Sequence, residues 1–149
     1  MVERFEKFSY AISELHSYLN RITGDEMEQY GLKGSSAIYL FVLSRYENGI
    51  TGAELSDLCF KNKSDVSRAM SSFEEKGLIT KKGGAKNSYR AQITLTEAGR
   101  RVADALHERA KVVIGRISAG LSDEKRHALY DSLELIAANM KGIINNENP

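Results

Sequence analysis

Asn62, Lys63, Ser64, Asp65, Ser67 and Arg68 place six hydrogen-bonding side chains within seven consecutive positions. At the start of a helix, such a set suits the edges of DNA bases and the phosphates beside them. Arg68 can make the paired hydrogen bonds that guanine O6 and N7 accept. Lys63 can reach a base or a phosphate, and the two serines can bond to either. The competing reading is an ordinary solvated helix face. Asp65 is the discordant member, because a carboxylate among phosphates is electrostatically unwelcome. It either completes a capping box with Asn62 or accepts a hydrogen bond from cytosine N4.

Charge is concentrated in the same region. The chain carries a net charge of +1, but residues 61–90 hold eight basic and three acidic side chains. Residues 1–60 hold five basic and nine acidic ones, and residues 91–149 hold eight of each. A local basic patch within a nearly neutral chain is the electrostatic footprint of a nucleic-acid reader, with a solvated charged face as the alternative.

Other chemistry is not legible. His16, His107 and His127 stand singly, away from the i, i+4 spacing of a zinc motif, so no metal and no cofactor is expected. Gly83-Gly84 lacks the flanking strand and helix of a phosphate loop, and no nucleophile–base pair appears, so no enzyme is expected. Cys59, the one cysteine, sits between Leu58 and Phe60 and reads as a packed, inert thiol rather than a redox sensor. The start of the chain shows no apolar signal core, and no apolar run approaches the roughly 20 residues of a membrane span. A cytoplasmic protein is the expectation, with no membrane partner.

These residues need a scaffold. A length of 149 residues suits one domain, and the only proline is Pro149, so glycine must do the punctuation and the fold should be mainly helical. Phe5, Phe8, Ile12, Leu15, Leu19 and Ile22 recur at helical steps, predicting a helix over 3–23 that Gly24 ends. Ser35 or Ser36 caps a second helix, with Ile38, Leu40, Phe41 and Leu43 inward and a stop near Asn48-Gly49. Thr51-Gly52-Ala53-Glu54 reads as a capping box opening a short helix with Leu55 and Leu58 inward. Asn62 caps the next, which carries Val66, Ala69, Met70 and Phe73 inward and ends at Gly77. Two short helices across a tight connection make a helix-turn-helix. Periodicity then changes to two: Tyr89, Ala91, Ile93 and Leu95 alternate with polar residues, after Leu78-Ile79 and a loop of glycine and lysine. That predicts a β-hairpin, and hence a winged helix-turn-helix core over 35–96. Thr96 caps a further helix with Val102, Leu106, Val113 and Ile117 in its stripe. Gly120 breaks it, and Ser122-Asp123-Glu124 restarts a last one carrying Leu129, Leu133, Ile136 and Met140.

The flanking helices, 3–23 and 97–144, carry more apolar surface than a winged helix needs. Each leucine-sized side chain left in water forfeits roughly 1.5–3 kcal/mol of burial. The stripes can fold back on the same chain or pack against a second copy. A two-fold homodimer is the commoner way to bury a self-complementary surface.

Three stretches carry a resemblance to the MarR (multiple antibiotic resistance regulator) family, in matching order and spacing. They are Thr51-Gly52-Ala53-Glu54-Leu55; Lys63 to Arg68 continuing to Glu75-Lys76-Gly77-Leu78-Ile79; and Ile93-Thr94-Leu95-Thr96-Glu97-Ala98-Gly99. The resemblance covers nearly the whole chain, 1–149. It implies a transcriptional regulator, a repressor and not an enzyme, that is a homodimer built from the terminal helices. It further implies a recognition helix in each major groove of double-stranded DNA, an inverted-repeat operator, and wings against the minor grooves. Asp65 departs from the small uncharged residue usual there. The wing departs too, with Asn87-Ser88-Tyr89-Arg90 where an Asp-Arg pair is typical, leaving Lys86 and Arg90, with Lys82 across the loop, as the nearest cations. Family members often bind small aromatic effectors between the dimerisation helices and the winged helix. His16, Tyr30 and Tyr39 are the residues here that such a cleft would use, unless they simply pack.

Two functions of different kinds follow: a ligand- or signal-responsive DNA-binding repressor, or a winged helix used as a protein-interaction module. The charge of residues 61–90 favours DNA, since a protein-docking surface would more often expose apolar side chains.

Overall fold

The computed structural model describes residues 2–83 and 90–147, without the side chains of the last two of these. The chain divides into two compact units, Met1–Arg109 and Ala110–Pro149. Its elements in order are α1 (Val2–Glu28), a 3₁₀ turn (Gly34–Ser36), α2 (Ala37–Leu43), β1 (Ile50–Thr51), α3 (Gly52–Cys59), α4 (Lys63–Glu75), β2 (Ile79–Lys82), β3 (Gln92–Leu95), α5 (Glu97–Ile117) and α6 (Asp123–Glu147). The fold is mainly helical with a small antiparallel sheet ordered β1-β3-β2, a winged helix-turn-helix. No helix among the described residues is long and apolar enough to cross a membrane.

α1 does not stop at Gly24. It continues to Glu28, and Gly31 at φ 64° ends it. The Leu32 amide donates to the Met27 carbonyl at 3.1 Å and the Gly31 amide to that of Glu28 at 2.8 Å, the paired bonds of a left-handed helix stop. Met27 and Leu32 are both buried beside it. An interior glycine costs only about 1 kcal/mol against alanine, which the burial of Met27 offsets. α4 ends the same way at Gly77, where the Leu78 amide donates to Phe73 at 2.8 Å and the Gly77 amide to Glu74 at 2.9 Å.

The core joins α1–α5 of the first unit. Met27, Leu40, Leu43, Ile50, Leu55, Val66, Phe73 and Ile93 are almost wholly inaccessible. Two inward assignments need correction. In α2 Tyr39 takes the interior and Ile38 is exposed; the helix ends at Leu43, and hydrogen-bonded turns carry the chain on to Gly49. In α3 Leu55 and Cys59, four residues apart, share the buried face of a two-turn helix, which leaves Leu58 to solvent.

β1 is a strand that the sequence pattern does not predict. Two residues are too few to show a period, yet Ile50 pairs with Ile93 and Thr51 with Gln92, so the expected hairpin has a third strand. β2 and β3 pair from Ile79 with Leu95 to Lys82 with Gln92. The expected tip, including Gly84, Lys86, Asn87 and Tyr89, lies outside the described residues.

α5 changes character along its length. Gly99, Val102, Ala103 and Leu106 are buried, while Val112, Ile114 and Ile117 are exposed. Along α6, Leu129, Leu133, Met140 and Ile143 are exposed, as are Phe5, Ile12, Leu15 and Leu19 of α1. Each unit thus carries apolar stripes that its own residues do not cover.

Candidate nucleic-acid interface

The helix-turn-helix is fixed at three points. Thr51 opens α3 with a capping box: the Glu54 amide donates to Thr51 Oγ1 at 3.2 Å, and the Thr51 amide donates to Glu54 Oε2 at 2.8 Å. The Thr51 hydroxyl also donates to Glu54 Oε2 at 2.7 Å, and this bond, with that from the Thr51 amide, holds the Glu54 carboxyl below its ordinary pKa. At the turn, Phe60 adopts a left-handed conformation (φ 53°), which costs a non-glycine residue about 1–2 kcal/mol. The Ser56 hydroxyl donates to the Lys61 carbonyl and the Lys61 amide to that of Ser56 (3.0 Å), which holds the turn closed. Asn62 then caps α4, its side-chain oxygen accepting from the Asp65 amide at 2.9 Å.

With Val66, Met70 and Phe73 buried, helical geometry sends the rest of the first two turns outward. Asn62, Lys63, Ser64, Ser67 and Arg68 are exposed and Asp65 half-buried, so the predicted set shares one accessible side. The Asn62 half of the expected capping box is present. The Asp65 carboxylate instead accepts from the Arg68 guanidinium, one turn along. That pairing was the missed signal: Asp and Arg at i, i+3 are helix neighbours. Lys81 of β2 reaches Glu74 of α4 at 2.6 Å and ties the sheet to this helix. Lys82 and Arg90 are exposed on either side of the wing, while Lys86 lies outside the described residues.

A half-open cleft of about 550 Å³ runs along the same helix. Lys61, Asp65, Arg68, Ala69 and Ser72 form one side, and Gly31, Leu32, Lys33, Ser35, Ser36 and Tyr39 the other. Ala69, expected in the core, is half-buried at its edge. Tyr39 is buried, which raises its phenol pKa; the nearby Cys59 and Asp65 add to the rise and Arg68 opposes it. The other two candidate effector residues have different surroundings. His16 pairs with Asn20 at 3.0 Å on the exposed side of α1, and Tyr30 packs at the edge of the core. His107 donates Nδ1–H to the Ala103 carbonyl and meets Phe41 edge-on, and His127 bonds to the Asp123 carbonyl. No metal-holding group of side chains occurs among the described residues.

Burial pushes the Cys59 thiol up to about 11, with Lys61 pulling the other way. At pH 8 roughly one thiol in a thousand would then be thiolate, against about a quarter for a free cysteine near 8.5. Alkylation of the native protein by iodoacetamide should be about two orders of magnitude slower than in urea; comparable rates would contradict the packed thiol.

Comparison with known proteins agrees with this geometry. Residues 30–87 match the family model described as MarR family. A MarR transcriptional regulator from Methanosarcina mazei Go1 is 25% identical, with 93% of this chain and 99% of that one covered and a TM-score of 0.81. Likeness of fold extends to the S. aureus MepR–DNA complex (19% identical, 89% and 97% covered, TM-score 0.79). It extends also to a putative MarR-family regulator from Listeria monocytogenes complexed with 26mer DNA (23% identical, 88% and 87% covered, TM-score 0.79). A search of curated proteins found no match. Residues 30–87 thus carry the sequence pattern of the MarR family, and the fold of nearly the whole chain is similar to that of MarR transcriptional regulators.

Proposed function

We propose that the protein is a homodimeric transcriptional regulator that reads double-stranded DNA sequence-specifically, as a repressor released by a small ligand or another signal. The carrying observation is the exposed polar start of α4, set by the Asn62 cap and backed by Val66, Met70 and Phe73. The two relatives bound to DNA support the reading. In it α4 enters the major groove, and Lys82, Arg90 and Lys86 of the wing meet the flanking minor groove. Asp65 holds the Arg68 guanidinium in place until DNA competes for it. The uncovered apolar stripes of α1 and α6 supply the dimer, which calls for an inverted-repeat operator with half-sites about one helical turn apart.

The test is a fluorescence-anisotropy titration against the gene's own upstream DNA and a scrambled duplex between about 50 and 300 mM salt. A dimer neutralising on the order of eight phosphates gives a log–log slope near −7. Arg68→Ala should weaken binding to the specific duplex at least about tenfold, as loss of a good guanine contact does. Equal, weak, salt-indifferent binding to both duplexes, with no site recovered from random DNA, would overturn the reading.

A further inference from the structure

The cleft beside α4 has a composition that base reading does not explain. Of its eleven lining residues only Gly31, Leu32 and Ala69 lack a polar side chain. Lys33, Lys61 and Arg68 bring three positive charges against the single carboxylate of Asp65, which Arg68 already engages. Neither Lys33 nor Lys61 has a carboxylate partner within salt-bridge distance among the described residues. Ser35, Ser36, Ser72 and Tyr39 add hydroxyls that can donate to an anion. The wall is mixed, with apolar surface as well as polar groups, and it is the cations and hydroxyls that single out a ligand: a compact oxyanion would find both charge and donors.

Position narrows the ligand. Asp65, Arg68, Ala69 and Ser72 follow the i, i+3, i+4, i+7 spacing of one helix side. That side adjoins the exposed start of α4 and is not its tip. A helix about 10 Å across nearly fills a major groove about 12 Å wide, so its flank lies against the sugar–phosphate wall. The geometry points to a phosphate seat: the cleft between residues 31–36 and α4 takes one backbone phosphate of the duplex, held by Lys33 and Lys61 with the serine hydroxyls. This rests on the DNA reading above. It adds Lys33, Ser35, Ser36 and Lys61 to the interface and assigns them to register and affinity, not to sequence choice.

The test uses the full chain carrying Lys33→Ala and Lys61→Ala together, titrated on the specific and scrambled duplexes across the same salt series. Phosphate contacts act alike on every sequence. Affinity should therefore fall by a similar factor, roughly three- to tenfold per lysine, on both duplexes. The salt slope should flatten by about two for a dimer, one for each protomer's seat. Unchanged thermal unfolding would show that the fold survives. A slope equal to wild type, or a loss confined to the specific duplex, would overturn the seat. Calorimetric titration of the DNA-free protein with inorganic phosphate separates a second source of the same chemistry. Tight phosphate binding that the double variant loses, beside an unaltered DNA slope, would assign the cleft to a free anion and overturn the DNA-phosphate assignment. If wild type itself shows no salt-dependent, sequence-preferring binding, the DNA reading fails. If wild type binds so and the double variant matches it, only the seat fails.

Discussion

Gly99→Ala should destabilise the protein by about 3 kcal/mol or more, at the upper end of overpacking costs, whereas Gly115→Ala in the same helix should stabilise it by about 0.5–1 kcal/mol. A Cβ on Gly99 would stand 1.9 Å from the Leu78 carbonyl oxygen and 3.1 Å from Leu95 Cδ2; one on Gly115 would meet nothing within 4 Å. The close approach at Gly99 follows from how α5 begins. Thr96 Oγ1 donates to the Gly77 carbonyl at 2.6 Å and accepts from the Gly99 amide at 3.1 Å, while the Thr96 amide donates to Leu78 at 3.0 Å. One threonine therefore caps α5 and fastens it to the turn that ends α4. The obstacle is backbone, so no side-chain rotation relieves it, and α5 must lift away from the core that Val102 and Leu106 fill. Urea unfolding measures both variants, and at this chain length Gly99→Ala should lower the melting temperature by roughly 6–12 °C. A Gly99→Ala protein as stable as wild type would mean that α5 slides freely against Leu78.

That fastening shows what was legible in the sequence and what was not. Leu95-Thr96-Glu97-Ala98-Gly99 was readable as a helix start, because a cap is local chemistry between residues a few positions apart. That the same threonine grips Gly77, nineteen residues back, is a tertiary fact with no local trace. The same division runs through the chain. The capping box of Thr51 and Glu54, the Asn62 cap and the Gly77 stop depend on neighbours in sequence, and the structure has them where the residues place them. Gly24 misled because an interior glycine and a terminal one look alike until the paired hydrogen bonds at Gly31 are seen. The exposed set on α4 was legible from its period, but spacing alone does not rank the Asp65–Arg68 pairing against capping and base contact. The far wall of the cleft was invisible, since Lys33 and Tyr39 meet Lys61 and Arg68 only when the 3₁₀ turn folds beside α4.

The second large effect should come from helices that the proposed function assigns to the dimer and not to the DNA. A chain carrying Leu15→Glu and Leu133→Glu is expected to run as a 16.6 kDa protomer instead of a particle of twice that mass, and to lose operator affinity by about 10²–10⁴-fold. Both leucines are exposed in the protomer, at 58% and 38% relative accessibility, so the substitutions should barely disturb its own fold. Packed between two copies, each glutamate would have to shed its hydration without a partner, which an apolar interface does not repay. The loss on DNA follows from geometry, with no contact to a base or phosphate removed. Once one recognition helix of a dimer is seated, the other meets its half-site at high effective concentration; a protomer binds each half-site alone. Light scattering after size exclusion gives the mass, and the anisotropy titration gives the affinity. The salt slope should halve along with the number of phosphates engaged. A variant that stays dimeric would place the interface elsewhere. A protomer that keeps wild-type affinity would show that one winged helix suffices, and the inverted-repeat operator would then lose its physical basis.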